Sequence, residues 1–346
     1  MEAIKYSEDI QIKKLTLLGL CLLCSLTCWN TASWANDTDT DSPNRFSDNL
    51  RFTLDASSRA VYFSRQNQTG FMHAFGFDLH KVFSGQQRDI GTLVLQGYLT
   101  RIDNFVTAPA IFDDPDDTEF VYRIFNFNYT GLPGNWPNLR IGHFEVAYGL
   151  EHAIDTNGTL RQYQQGANLG IKADWGVSLN KQLTSFEYEI GATSGGNQEL
   201  DSDDGSFVYS ARIGTPRDEN TVLGLAVYKS ELNNLKRERL GVDVRYYHGL
   251  HGFFAEVSTG ENNETDVLNL FGEWNYRNST ESLLYYTQLS YLSIDVTGNS
   301  ALKGIVGVKY APDNHWSLST QYARDINVFV GKKHQGLFNL QLRYRF

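Results

Sequence analysis

The segment that most constrains this chain is its last one, Gly336-Leu337-Phe338-Asn339-Leu340-Gln341-Leu342-Arg343-Tyr344-Arg345-Phe346. Side chains of a β-strand alternate between its two faces. Phe338, Leu340, Leu342, Tyr344 and Phe346 therefore share one face, and Asn339, Gln341, Arg343 and Arg345 the other. Such a strand needs an apolar medium on one side and water on the other. The same pattern recurs upstream. Phe186, Tyr188 and Ile190 oppose Glu187 and Glu189; Leu268, Leu270, Trp274 and Tyr276 oppose Asn269, Glu273 and Asn275. Leu169, Ile171, Ala173 and Trp175 read the same way against Asn168, Lys172 and Asp174.

Strands of this kind are expected near 59–66, 70–80, 90–103, 119–130, 137–148, 166–176, 183–193 and 205–214. Eight more are expected near 221–229, 237–248, 251–259, 265–277, 281–293, 301–310, 315–324 and 335–346. The fold class expected is all-β, a transmembrane antiparallel β-barrel of about 16 strands, an even number as single-chain barrels require. Composition agrees, with 40 Tyr and Phe, 30 Gly and only 7 Pro. After residue 29 no apolar run approaches a helical span, whereas a barrel's lipid face takes only every second residue.

Connectors supply a second test. Those at 131–137, 177–182, 214–220, 248–250, 278–280 and 311–314 are short and turn-rich, as periplasmic turns are. Those at 104–118, 149–165, 194–205, 232–236, 260–265 and 325–334 are mostly longer and more acidic. The connector at 81–89 is long for a turn. Trp136, Trp175, Tyr276, Tyr310, Trp316, Tyr344 and Phe346 lie near strand ends, where interfacial aromatic girdles sit. A soluble β-sandwich is the competing fold, but its outer strand faces would have to carry all the charge of a very large domain.

The front of the chain reads as an export signal over residues 1–35: Lys13 and Lys14, an apolar run from Leu15 to Trp29, then Ser33-Trp34-Ala35. Residues 36–48 read as a polar, disordered linker, and 49–346 as the barrel. Cys21, Cys24 and Cys28 all fall in the signal, so no disulfide or thiolate metal site is expected. The net charge of -10 survives removal of residues 1–35, because Glu2, Glu8 and Asp9 balance Lys5, Lys13 and Lys14.

Catalytic signals are sparse. There is no glycine-rich phosphate loop, no paired-histidine zinc spacing and no G-x-S-x-G elbow. The segment from Glu151 to Gly158 faintly resembles the His-x-Ser-Asn-Gly motif of outer-membrane phospholipases, but Ile154 stands where the serine nucleophile should be. The acidic clusters at 113–119 and 199–205 lack calcium-loop spacing and read as solvated loop carboxylates, bridged by divalent ions to lipopolysaccharide. No catalytic residue, metal, cofactor or nucleic-acid partner is expected.

Where phase is clear, the wet face carries Lys172, Arg212, Arg237, Arg239, Arg245, Arg277, Lys303, Lys309, Arg343 and Arg345 against Asp174, Glu187, Glu189, Asp243 and Glu273. That basic excess favours a mild preference for anions. The connector after the fifth strand, 149–165, is expected to fold inward as a constriction loop. Glu151, His152, Asp155 and Arg161 are its candidate constriction residues, and Arg140, Lys172, Arg212, Arg239, Arg245 and Arg343 candidate pore-lining residues.

The run Leu139-Arg140-Ile141-Gly142-His143-Phe144-Glu145-Val146-Ala147-Tyr148-Gly149 resembles the strand before the constriction loop of the phosphate-selective porin O/P-like group, through Arg140, Gly142, Phe144, Tyr148 and Gly149. Ala147 departs from the proline common there. The terminal aromatic strand likewise resembles the last strand of bacterial outer-membrane barrels. These resemblances imply an outer-membrane porin, a homotrimer set in lipid and lipopolysaccharide, passing small hydrophilic solutes or anions, phosphate among them. A structural or adhesive barrel with a closed lumen, and a barrel enzyme, are the alternatives from other classes.

Overall fold

A computed structural model describes residues 48–85, 88–150, 154, 159–163, 165–200, 205–295 and 299–346. The expected signal and nearly all of the polar linker lie outside the described residues, as do Glu151, His152 and Asp155.

Among the described residues sixteen strands form one closed antiparallel barrel, each pairing with its chain neighbours and the last with the first. They are β1 (Leu50–Phe63), β2 (Gln68–Ser84), β3 (Asp89–Asp103), β4 (Asp117–Tyr129), β5 (Asn138–Glu145), β6 (Ala173–Gln182), β7 (Glu187–Thr193) and β8 (Phe207–Gly214). They continue as β9 (Thr221–Leu232), β10 (Leu235–His248), β11 (His251–Asn262), β12 (Thr265–Arg277), β13 (Leu283–Ile294), β14 (Ser300–Tyr310), β15 (Trp316–Asn327) and β16 (Gly336–Arg345). A short helix, α1 (Gln165–Leu169), lies between β5 and β6. The seam closes through β1–β16 pairing, and Leu54 and Phe346 exchange both backbone hydrogen bonds at 2.6 and 2.9 Å. Closure leaves no unpaired sheet edge, the condition for strands to cross a membrane. No described helix is long and apolar enough to do so.

The alternation in the terminal strand carries over to space. In β16 Asn339, Gln341 and Arg343 are buried inside the barrel, whereas Phe338, Leu340 and Leu342 are exposed outside it. β9 repeats this with Val222, Gly224, Ala226, Tyr228, Ser230 and Leu232 inward and Leu223, Leu225 and Val227 outward. The protein is therefore turned inside out relative to a soluble domain, wet within and apolar without.

Several expected boundaries shift. The first strand is Leu50–Phe63 rather than 59–66, and β2 runs on to Ser84, which shortens the long 81–89 connector to residues 85–88. The segment 177–182, read as a turn, is strand β6, and the turn falls at 183–186. The strand read at 166–176 is instead α1 followed by the start of β6. Gly170, at φ +85°, ends the helix, and Leu169 and Ile171 are buried within the barrel rather than facing out. At 232–236 and 260–265 the strands extend to two-residue turns, Asn233-Asn234 and Asn263-Glu264, with positive φ at both positions as type I′ hairpins require. Gly142 is needed in β5, since at φ +125° an added Cβ would lie 2.1 Å from the Phe125 carbonyl oxygen.

The wall is uneven. β1 to β3 have 14, 17 and 15 residues, while β5 to β8 have 8, 10, 7 and 8. Aromatics ring the end that carries the C-terminus, where Trp316 packs on Tyr344 at 4.6 Å and Tyr344 on Phe346 at 5.5 Å. Trp175 is not part of an exposed girdle. It is half-buried under the connector after β7, donating to the Gln198 carbonyl at 3.3 Å.

Candidate functional site: the lumen and its crossing loop

The connector between β5 and β6 enters the lumen and is fastened to the opposite wall. Tyr148 shares a 2.7 Å hydrogen bond with Ser258 on β11. The Leu150 N–H donates to Glu256 at 3.1 Å, and the Tyr163 hydroxyl donates to the same carboxylate. Arg161 grips Glu273 on β12 with Nε and Nη2, the Nε contact being 3.2 Å. Gln288 on β13 makes a two-way contact with the Gln162 backbone, at 3.2 and 2.7 Å, and Gln321 on β15 donates to the Leu160 carbonyl. Arg59 on β1 reaches the Thr159 carbonyl at 3.3 Å. Further along, Asn168 accepts from Arg239 at 2.9 Å, and Tyr228 donates to the Leu169 carbonyl at 2.8 Å.

Loops seldom run through protein interiors because their backbone polar groups need partners. Here wall glutamines, arginines and tyrosines supply them. Apolar contacts complete the attachment. Leu150 and Ile154 pack with Phe254 and Phe271, and Val146, Tyr148, Leu169 and Ile171 pack with Val208, Ala226, Tyr228 and Leu232. The loop thus divides the lumen with two apolar anchors and a polar middle.

Of the expected constriction residues, Arg161 is placed within this loop, buried and paired to Glu273; Glu151, His152 and Asp155 lie outside the described residues. Among the expected lining residues, Arg140 on β5 faces the lumen and meets Glu189 at 2.8 Å. Arg212 on β8 bridges Glu187 at 3.2 Å and Asp243 at 2.7 Å. Arg343 on β16 pairs with Asp55 on β1. Arg239 is held by oxygens of Asn168, Asn262 and the Glu238 and Glu261 backbones. Arg245 lies over the Tyr247 ring at 5.5 Å and donates to the Arg217 carbonyl, and Lys172 sits in the connector just before β6. A pocket of about 60 Å³ lies between the loop's start and the wall, lined by Arg140, Tyr148, Glu187, Glu189, Arg212 and Arg217.

Sequence reading missed Asp55, Asp78 and Glu256, all buried and lumen-facing, and so overstated the basic excess of the wall. It also missed Gln288 and Gln321, which hold the loop. Their signal was available: Leu284, Tyr286, Gln288 and Ser290 form one face of β13, with polar residues at mid-strand. Among the described residues, no group of three or more His, Cys, Asp and Glu is arranged to hold a metal ion.

No protein-family model matches the sequence, and no curated protein is detectably similar to it. Solved structures do resemble it. OprB of Pseudomonas putida superposes with a TM-score of 0.64 at 10% identity, over 86% of this chain and 94% of that one. OmpF of Salmonella typhi, solved in complex with daunomycin, gives 0.62 at 12% identity, over 86% and 97%. An anion-selective porin from Comamonas acidovorans gives 0.58 at 10% identity, over 86% and 99%. At such identities the likeness is one of fold: the chain shares with these porins the architecture of a closed, sixteen-stranded antiparallel barrel.

Proposed function

We propose that this protein is a bacterial outer-membrane pore through which small hydrophilic solutes diffuse passively, with a mild preference for anions. The observation that carries the reading is a closed barrel, polar inside and apolar outside, whose lumen is narrowed by a loop fastened to the far wall. Such a duct needs no covalent step. Its selectivity comes from bore and from the summed potential of the wall.

The anion preference rests on arginines that neutral oxygens hold. Arg59 contacts Gln341 and the Thr159 carbonyl, and among the described residues the hydrogen bonds of Arg239 go to amide and carbonyl oxygens. The pairs at Arg140, Arg161, Arg212 and Arg343 reduce the net effect, so the preference is small, and phosphate is one candidate among several anions. Lipid and lipopolysaccharide are the surroundings in this proposal, and a homotrimer its assembly. The test is the reversal potential in a potassium chloride gradient, combined with swelling of proteoliposomes in sugars. Swelling with small sugars and a modest shift toward the chloride potential are expected; a strongly cation-selective shift would remove the anion preference. A closed structural barrel is the second reading, favoured by the extent of loop packing at Leu150, Ile154, Phe254 and Phe271. Sugars that fail to enter would support it.

A further inference from the structure

We propose that His143 is a proton-operated clasp: with both ring nitrogens protonated it ties the segment 194–198 across a gap in the barrel wall, and with the ring neutral that segment loosens. The inference needs the closed barrel but not an open lumen.

The gap follows from unequal strands. β5 pairs with β4 only from Tyr129↔Leu139 to Phe125↔His143, while β4 reaches back to Asp117. Among the described residues, β4 between Asp117 and Ile124 has no strand beside it on that flank. The segment 194–198, which follows β7, fills the place. Its Gln198 side-chain amide accepts from the Tyr122 N–H at 2.7 Å and donates to the Tyr122 carbonyl at 3.0 Å, as a paired strand would. Trp175 donates to the Gln198 carbonyl, and buried Asp174 accepts from the N–H groups of Gly195 and Asn197 at 2.6 and 2.9 Å.

His143 lies beneath this strap. Ile141, on the same outward face of β5, is exposed, whereas His143 is fully buried. Its Nδ1 is 3.0 Å from the Arg123 carbonyl oxygen on β4, and its Nε2 is 3.1 Å from the Asn197 carbonyl oxygen of the strap. Carbonyl oxygens only accept. A neutral imidazole has one N–H and one lone pair, so it satisfies one carbonyl and turns a lone pair on the other; imidazolium donates to both.

The charges that act on the ring are Asp174 on β6 and Arg123 on β4, and Arg123 is already paired with Glu145 of β5 at 3.2 Å. The strap, Ser194-Gly195-Gly196-Asn197-Gln198, brings no charge. Asp174 is therefore the unbalanced charge of this cluster, and a protonated ring balances it. Full burial works against any charge, so neither form is locked in and the ring can switch.

The test is hydrogen exchange, read by mass spectrometry, on the full chain folded in lipid vesicles at about pH 5 and about pH 8, each rate being divided by the intrinsic rate at that pH. Protection of peptides covering 194–198 is expected to fall about tenfold at the higher pH, the worth of one charge-assisted hydrogen bond. Peptides of β12 and β13 should keep theirs. His143→Gln, neutral throughout, is expected to show the weaker protection at both values, and Gln198→Ala to weaken both yet keep the step. Equal protection of the wild-type strap at the two values, or a step that survives in His143→Gln, would overturn the inference. Should His143→Gln fail to fold, nitrogen NMR spectra of the wild-type ring decide. Two protonated nitrogens at the lower pH and one at the higher support the clasp; the same state at both contradicts it. None of these readouts depends on conductance, so failure here leaves the pore reading standing, and a silent bilayer leaves the clasp.

Discussion

Arg161 in the crossing loop and Glu273 on β12 form a two-toothed ion pair buried inside the barrel, 112 residues apart in sequence. Asn275 and Gln288 also donate to the same carboxylate, at 2.8 and 2.7 Å, so the Glu273 oxygens are saturated. A pair of this kind is worth little against apolar replacements, but breaking it from one side is costly. The loop is therefore held where it narrows the lumen by a contact that tolerates no half-measures.

Glu273→Gln leaves the Arg161 guanidinium buried beside a neutral amide and is expected to weaken loop docking by about 3 kcal/mol. Single-channel traces should show larger or flickering conductance. Replacing both residues with leucine should restore a steadier current. An unchanged trace in Glu273→Gln would mean that the loop is held without this pair.

The barrel seam has its own buried contact, Arg343 with Asp55, and Arg345 also approaches Asp55 at 3.7 Å and Asp78 at 3.6 Å. Asp55→Ala removes the acid that faces two arginines and is expected to cost about 3 kcal/mol at the β1–β16 closure. The temperature at which the folded band is lost on unheated detergent gels should fall. Asp55→Glu should recover part of the loss.

Neighbouring substitutions in β16 separate the two faces. Leu340→Arg places a charge on the exposed apolar face and is expected to cost about 2–4 kcal/mol at mid-bilayer depth. Gln341→Glu, one residue on, puts a charge in the lumen beside Arg59, which already donates to that side chain at 2.9 and 2.7 Å, and is expected to cost far less. Yield of folded barrel in lipid vesicles is the readout. Equal losses would contradict the assigned faces.

At the rim that carries Phe346, the Asp313 carboxylate accepts the N–H groups of Trp316 at 2.7 Å and His315 at 2.8 Å. These bonds, that from Trp316 first, hold its carboxyl below the ordinary range. A lowered folded value means that the contribution is present above the unfolded range and lost as pH falls through the folded one. Asp313→Asn should therefore refold less well than wild type at neutral pH and equally well in strong acid.

Much of this architecture was legible because alternation is a local property. Leu340 against Gln341, or Leu270 against Asn269, declares its face within two residues, and the count of sixteen followed from repeating that reading. The same rule failed at Leu169 and Ile171. An apolar residue packed on an inward loop looks the same in sequence as one facing lipid. β1 and β2 hid Asp55 and Asp78 because Ala, Ser and Gly between them blur the phase. The fastening of the loop was illegible for another reason. Gln321 and Leu160 lie 161 residues apart, and only closure of the barrel brings them together.

The most direct test of a wet duct through an apolar-walled cylinder is recording from purified, folded protein added to a planar lipid bilayer. Discrete, equal steps of current that persist at low voltage are the result expected. Verified insertion with no conductance would contradict the account and leave a closed barrel in its place.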